Sequence, residues 1–523
     1  MLYLVLIPSI ATAIACYLLK NKKRIELVNE MGACAEFLCA VLLCGLVVSS
    51  STMTIGDNGL WYMDALSAYF LVIVAIVGSL AAFYSVGYLD YEYKENVIDV
   101  TRLRIYYSMF HLFIGMMMFV FITDNLTIVW IAIEGTTIAS ALLVAFYNKK
   151  PALEAAWKFI IICSAGIVLA LFGTIIMSLN SNVELGESIF ALNWTKLFAS
   201  AGLLDPGLLK LTFILIFVGY ATKAGLVPMH TWLPDAHSQA PSPVSATLSG
   251  VLLNCALYAI LRYHAIMTKA HIMILGTGFS NLIMIIFGSL SLLVAAGFIV
   301  VSKDYKRILA YSSIKHIGMI ILGFGIGNLA GTLAIFGALF HILNHSLTKS
   351  MLFFSSGNIL LKYKTRCVDD IRGLGSTMPL TAILFMLGVF ALTGLPPFSV
   401  FVSEISILSG MIQVAQLNPA YYITVFIYLL CMVIVFAGFT NSAGKMVFGT
   451  NSINKIEARV IVKQGETEHE CSPTEQERPK VTPGEINRAG SIIVIILLVL
   501  ILLLGVYMLP QMGAFLNNIA TLF

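Results

Sequence analysis

Charge is scarce in this sequence. Asp, Glu, Lys and Arg make up only 11% of its 523 residues, against 59% hydrophobic residues and a mean hydropathy of +0.92, a balance that excludes a water-soluble globular domain. Also missing are the short motifs that carry nucleotide or covalent chemistry: there is no Walker A loop, no Gly-x-Gly-x-x-Gly and no nucleophile triad. Nucleotide hydrolysis and redox catalysis therefore have no residues to stand on in this chain, and no cofactor is expected. The nine cysteines form no Cys-x-x-Cys pair and lie mostly in apolar runs, so they read as small hydrophobes, with no metal or cluster site expected. The formal charge of +4 comes from basic residues in loops, without interleaved aromatics. That placement speaks of membrane topology and not of nucleic acid.

What is present is a succession of apolar runs, each near the ~20 residues that an α-helix needs to cross ~30 Å of hydrocarbon. Fourteen spans are predicted: 2–19, 31–50, 63–87, 105–122, 125–147, 153–179, 209–227, 244–264, 274–301, 308–325, 329–360, 378–415 (broken), 420–445 and 490–510. The fold class expected is all-α and polytopic, with no separate soluble domain. The first span lacks a basic start and a small-residue cleavage site, so it is expected to be a retained helix and not a signal peptide. Loops after odd-numbered spans hold 23 of the 31 basic residues, and loops after even-numbered spans hold 3. The positive-inside rule then puts the odd-numbered loops in the cytoplasm and both termini outside a cell inner (cytoplasmic) membrane.

The chain divides into N-terminal helices (1–104), a first group (105–265), a second group (274–445), a polar segment (446–489) and a C-terminal helix (490–523). Residues 180–207 read as an acidic, mixed outer loop, and 446–489 as a solvated cytoplasmic linker or a docking segment for a partner. The two groups share landmarks in the same order. KFIIICSAG at 158–166 and KSMLFFSSG at 349–357 both read K-x5-S-x-G, and GLVP at 225–228 is matched by GLPP at 394–397. An odd number of crossings separates the copies, which gives them opposite orientation. Inverted repeats with paired Gly/Pro-interrupted spans are the sequence pointer to a transport site.

Counting Arg262 and Lys445 at span ends with the loops, five basic residues lie inside spans: Lys158, Lys210, Lys223, Lys315 and Lys349. A charge at bilayer depth costs roughly 2.5–3.5 kcal/mol on insertion scales, so such residues line polar paths or carry function. Each broken span has one near its break: Lys223 five residues before Pro228, and the acid Glu404 seven after Pro397. Proline removes an N–H and frees carbonyls that polar side chains or water must satisfy. Glu134 has no basic partner at i±3 or i±4. It must protonate, seek a distant cation, for which Lys223 is the candidate, or face a neighbouring subunit. His341, His345 and Lys349 fall at i, i+4 and i+8, a stripe of titratable groups about 6 Å apart that suits a proton relay; the lysine on that face argues against a metal. His230 and His237 flank Trp232 and form either a cytoplasmic proton entry or a solvated loop. Lys303 and Arg307 read as flanking charges and Glu154/Lys158 as a local ion pair, whereas Lys315 and His316 lie deeper and extend the polar axis.

The run KAGLVPMHTWLPDAHSQAPSPVSATLSGVLLNCALYAILR, with WIAIEGTTIASALLV, DYKRILAYSSIKHIG, FHILNHSLTKSMLFFSSGNI and GLPPFSVFVSE, resembles the antiporter-like subunits of respiratory complex I, Mrp-type cation antiporters and energy-converting nickel–iron hydrogenases. The likeness covers roughly residues 60–445 and is nearest to the hydrogenase-4 and formate hydrogenlyase type. It implies fourteen helices with two inverted five-helix repeats, each with a broken helix, and a polar axis along the midplane. It implies that Glu134 and Lys223 are the family's paired glutamate and lysine, that Lys349 is its central lysine, and that Glu404 is the acidic variant on the second broken helix. Where several members have a further lysine this chain has Asn254, so a relay there must use water or a histidine.

The function expected is proton translocation by Glu134, Lys223, His341, His345, Lys349 and Glu404, with entry at His230 and His237, in a subunit without catalytic chemistry of its own. The partners implied are other membrane subunits and a peripheral hydrogenase or dehydrogenase arm. The alternatives are an Mrp-type sodium/proton antiporter subunit, or a non-pumping membrane anchor.

Overall fold

Hydrocarbon offers no water to backbone N–H and C=O groups, so a chain this apolar satisfies them inside helices. The computed structural model follows that rule; it describes residues 2–50, 54–56, 59–185, 191–274, 276–327, 329, 331–449 and 482–523. Four helices come first: α1 (Leu6–Leu18), α2 (Lys22–Ser49), α3 (Ala65–Lys94) and α4 (Val100–Val120). Between α2 and α3, β1 (Thr54–Gly56) pairs antiparallel with β2 (Tyr62–Asp64), Thr54 opposite Asp64. The first group follows: α5 (Leu126–Val144), α6 (Lys150–Leu185), the short α7 (Trp194–Ala199), α8 (Pro206–Ala224), α9 (Trp232–Gln239), α10 (Ser242–Thr247) and α11 (Leu253–Lys269). A two-residue hairpin pair, β3 (Met273–Ile274) and β4 (Thr277–Gly278), leads to the second group. This comprises α12 (Phe279–Val301), α13 (Tyr305–Ile326), α14 (Leu333–Tyr363), α15 (Leu374–Thr377), α16 (Pro379–Leu392), α17 (Ser399–Leu417) and α18 (Tyr422–Val447); α19 (Arg488–Val506) and α20 (Pro510–Ala520) end the chain.

Among the described residues, twelve helical segments are long and apolar enough to cross a membrane. α1 and the 31-residue α14 complete the fourteen crossings, α16 and α17 being two halves of one broken span. The most apolar stretch of α14 is less apolar than those of the twelve because histidines, serines and lysines dilute it, and the helix tolerates them because its neighbours bury it. Burial separates inner helices from outer ones. The apolar window of Ser242–Lys269 is 100% buried and that of Tyr305–Ile326 94%, against 33% for α2, whose outward leucines face lipid. The protein is a multi-pass, all-α membrane protein.

The two broken spans use one device. α8 ends at Gly225 (φ 76°) and α16 is followed by Gly394 (φ 72°), both left-handed, with Pro228 and Pro397 three residues on. A left-handed glycine closes a helix without a Cβ clash, and proline keeps it from resuming. Elsewhere glycine permits close crossings. A Cβ on Gly219 would lie 2.6 Å from Ala170 N and Gly166 O, where α8 meets α6. A Cβ on Gly288 would lie 2.8 Å from Gly318 O, where α12 meets α13.

Some boundaries differ from expectation. Residues 180–207 are not simply a loop: α6 runs on to Leu185 and α7 lies within them. The connection at 228–243 carries α9 and is buried, because Trp232, Leu233 and Ala236 turn inward despite the polar residues between them. α20 lies beyond the last span expected. Most of the polar segment 446–489, residues 450–481, lies outside the described residues.

Gly219→Ala is expected to cost about 1–3 kcal/mol by forcing α6 and α8 apart. Gly45→Ala, whose Cβ meets nothing within 4 Å, serves as the control. Thermal unfolding of the detergent-solubilised protein checks this, with a lowered midpoint for Gly219→Ala only.

Candidate functional site

Lys223 sits two residues before the glycine that ends α8, so the break holds its ammonium inside the bundle, fully buried. Its Nζ donates to Thr137 Oγ1 at 2.8 Å, and the Thr137 hydroxyl donates to Glu134 Oε2 at 3.1 Å. Thr137 follows Glu134 by three residues on α5, which puts hydroxyl and carboxylate on one face. Ser164 of α6 donates to the other carboxylate oxygen at 2.8 Å. The structure thus brings Glu134 and Lys223 together through one shared hydroxyl. The Phe159 ring, 4.7 Å from Lys223 Nζ, adds a cation–π contact.

The second group holds a matching pair with the signs exchanged. Glu404 on α17 accepts from Lys315 Nζ on α13 at 2.7 Å, with both side chains buried. Its free oxygen, Oε2, occupies the space where a Cβ on Gly394 would stand, 1.8 Å away, so the backbone break also makes room for the carboxylate. In each group the partner lies two spans before the broken one. The order is acid then base for Glu134 and Lys223, and base then acid for Lys315 and Glu404.

The α14 stripe runs between the pairs. His341 Nε2 lies 2.8 Å from Nδ1 of His316, the residue after Lys315, and His341 Nδ1 lies 2.9 Å from Ser403 Oγ, the residue before Glu404. The His345 ring is 5.3 Å from that of His316. Among the described residues neither nitrogen of His345 has a hydrogen-bond partner. Lys349 donates to Ser312 Oγ and to the Leu309 carbonyl on α13. Asn254, the weak point expected of the relay, donates to Ser346 Oγ at 3.0 Å, which ties α11 to the same stripe. A π-type turn at Leu248–Leu252 comes just before it. Such turns widen a helix and recur at functional sites.

His316, His341 and Glu404 present ligand atoms within 4.8 Å of one another. Lys315 already lies on that carboxylate as a resident cation, and Lys349 stands on the same side, so a divalent ion would meet two ammonium groups.

His230 and His237 are not solvated loop residues: His237 is fully buried in α9 and His230 nearly so. The His237 ring stacks on Phe353 of α14 with centroids 5.0 Å apart, which places it towards Lys349. Lys306 Nζ, also buried, donates to Ala240 O at 2.8 Å. Nearer the surface Arg307 pairs with Asp235, and Lys158 bonds Glu154 at 2.9 Å and Asp235 at 3.4 Å.

Thr137, Ser164, Ser346 and Ser403 carry no signal in the sequence, because serine and threonine are ordinary in apolar helices and, apart from Glu134 beside Thr137, the charged or polar side chains they meet lie tens of residues away. It read Lys315 and His316 as part of the polar axis but missed the Lys315–Glu404 pair, 89 residues apart. The available signal was that an acid on the second broken span needs a buried base.

The family described as NADH:quinone oxidoreductase/Mrp antiporter, transmembrane, matches residues 123–430, and the one described as NADH-ubiquinone oxidoreductase (complex I) chain 5 N-terminus matches residues 59–96. The hydrogenase-4 component F homolog of Methylacidiphilum infernorum is 40% identical over 349 residues, which is 66% of this chain and 72% of that one. Hydrogenase-4 component B of Escherichia coli is 30% identical over 354 residues, 65% of this chain; the match spans about half (49%) of that longer protein. Among solved structures, a chain of the membrane-bound sulfane sulfur reductase, an archaeal respiratory membrane complex, superposes with a TM-score of 0.80 at 22% identity, covering 100% of this chain and 97% of that one. That likeness speaks to the fold.

Removing one partner of a buried ion pair leaves an uncompensated charge and costs about 3–5 kcal/mol, while removing both is near neutral. Lys315→Met is therefore expected to destabilise strongly and Lys315→Met/Glu404→Gln to recover most of the loss. A double-mutant cycle of unfolding free energies measures the coupling.

Proposed function

Because the chain belongs to the NADH:quinone oxidoreductase/Mrp antiporter family, we propose that it is the proton-translocating, antiporter-like subunit of a redox-driven membrane complex of the hydrogenase-4 type. The observation that carries this reading is the two charged pairs, buried Lys223 bridged to half-buried Glu134 and buried Lys315 on buried Glu404, together with the Asn254–Ser346 bond and the buried Lys349, His345, His316 and His341 on and beside α14. A scaffold gains nothing from four buried ammonium and carboxylate groups and a histidine cluster in an apolar bundle.

Residues 105–265 and 274–445 act as two inverted repeats, each contributing one acid–base pair. While Glu134 is ionised, the Thr137 bridge favours a protonated Lys223. When Glu134 takes up a proton or the bridge opens, Lys223 loses its counter-charge in a low-dielectric interior and gives its proton up. Asn254 cannot hold that proton, but its amide orients the Ser346 hydroxyl, which can both accept and donate. Buried polar atoms without protein partners, such as both His345 nitrogens and Asn254 Oδ1, need solvent to offset their burial, and water completes the line there. From Lys349 and the histidines the charge reaches Glu404, whose bond to Lys315 weakens as its own proton arrives.

His237 and His230 form the entry on the face with the basic loops. By the positive-inside rule this face is cytoplasmic, which puts both termini outside the inner membrane. Other membrane subunits and a peripheral hydrogenase or dehydrogenase arm supply the driving reaction. The second reading, an Mrp-type sodium/proton antiporter subunit, is the one that sodium-dependent proton flux without an electron donor would reveal.

The test is proton uptake by the parent complex in proteoliposomes. Lys223→Ala and Glu134→Gln are expected to abolish pumping with electron transfer retained, and unchanged pumping in both overturns the proposal. Thr137→Val is expected to cut pumping by about tenfold or more, as loss of a positioned proton-transfer group does, while Thr137→Ser retains it.

A further inference from the structure

On α11, Asn254, Tyr258 and Arg262 fall at i, i+4 and i+8 and form a second stripe that leaves the midplane line at Asn254. It leads away from the basic loops over about 12 Å, eight residues of helical rise. Arg262 at its end is buried. Its Nη1 donates to Asp64 Oδ2 and its Nη2 to Asp64 Oδ1, both at 2.7 Å, and Nη2 also donates to Ser67 Oγ at 2.8 Å. Ser67 Oγ lies 2.9 Å from the Tyr258 hydroxyl. The guanidinium is held between rings, 4.2 Å from the Trp194 centroid and 4.8 Å from that of Tyr258. Just beyond, a cavity of about 470 Å³ opens between the β1–β2 hairpin and the segment before α5, lined by Tyr62, Asp124 and Thr195 among others. Burial holds the Asp124 carboxyl above the usual carboxylate range, against hydrogen bonds from Thr195.

A hydrogen-bonded wire moves protons only through groups that both accept and donate. Tyr258 and Ser67 do both. A guanidinium has five N–H donors and no acceptor, and it stays protonated at any physiological pH. Both carboxylate oxygens of Asp64 are already engaged by it. Among the described residues no direct hydrogen bond joins Asn254 to Tyr258, so a wire from the midplane crosses that step by water; the Tyr258–Ser67 pair beyond it ends at Arg262, whose positive charge repels a proton entering from the cavity, as arginines in channel constrictions do. An ion pair this buried adds little stability over an apolar substitute, so stability alone does not explain it.

We infer that Arg262, fixed by Asp64, Trp194 and Tyr258, is a proton-tight seal between the midplane axis and the cavity on the face opposite the basic loops. This rests on the proton-translocation reading, but its test does not require turnover. The parent complex is reconstituted in proteoliposomes without an electron donor, a membrane potential is imposed with potassium and valinomycin, and passive proton entry is followed by a trapped pH dye. Glutamine can accept and donate where arginine can only donate. Asp64→Asn/Arg262→Gln, a neutral hydrogen-bonded pair chosen because Arg262→Gln alone strands a buried carboxylate, is expected to raise the leak on the order of tenfold, the change that one hydrogen bond's worth of barrier gives. Arg262→Lys, still donor-only and positive, is expected to stay as tight as wild type, and adding Tyr258→Phe to the leaky variant is expected to close it again. An assembled double variant with normal electron transfer and wild-type tightness overturns the seal, as does a leak in Arg262→Lys, which assembles without the neutral swap. If Lys223→Ala abolishes pumping while the double variant stays tight, the seal alone fails. If Lys223→Ala and Glu134→Gln still pump, the translocation reading fails whatever the leak.

Discussion

A charge inside this helix bundle is expensive, and the ways the protein offsets that cost set the arrangement of its interior. Lys223 is balanced through a threonine hydroxyl and an aromatic face, Glu404 by a direct ammonium contact, and Lys349 by a serine and a backbone carbonyl. None of these groups is held by redundant salt bridges. Each balance is adequate while the charges stay as they are and fails when one proton moves, which a conducting path needs and a structural ion pair does not.

The helix breaks are part of the same economy. Left-handed Gly225 and Gly394 stop helices at depth, and the second break leaves room that the Glu404 carboxylate fills. The pair beside each break is built from the same two spans, yet the sign order reverses between groups. Where one group presents a base at a given span, the other presents an acid, on the same backbone plan.

Much of this was legible in the sequence. The spans followed from hydropathy, the α14 stripe from its i, i+4, i+8 spacing, and the breaks from Gly and Pro, since all three are local in the chain. What escaped depends on which helices touch. The Thr137 bridge needs α5 against α8, the Lys315–Glu404 bond needs α13 against α17, and Asn254 reaches Ser346 across 92 residues. For His230 and His237 a cytoplasmic entry and a solvated loop stood equally open, because polar residues and proline surround them, whereas Trp232 and Leu233 draw that turn into the bundle. Asn254, which looked like a gap, is bonded to Ser346 of α14 and shares the α11 face with Tyr258 and Arg262.

The central claim is that the two pairs are electrostatically linked along this line. Infrared difference spectroscopy of the reconstituted parent complex during turnover tests it most directly, with Glu404→Gln identifying the Glu404 carboxyl band. This band is expected to change on turnover in the wild type and to fall silent in Lys223→Ala, although Lys223 lies in the other group of helices. A Glu404 band that responds in Lys223→Ala as it does in the wild type would contradict it.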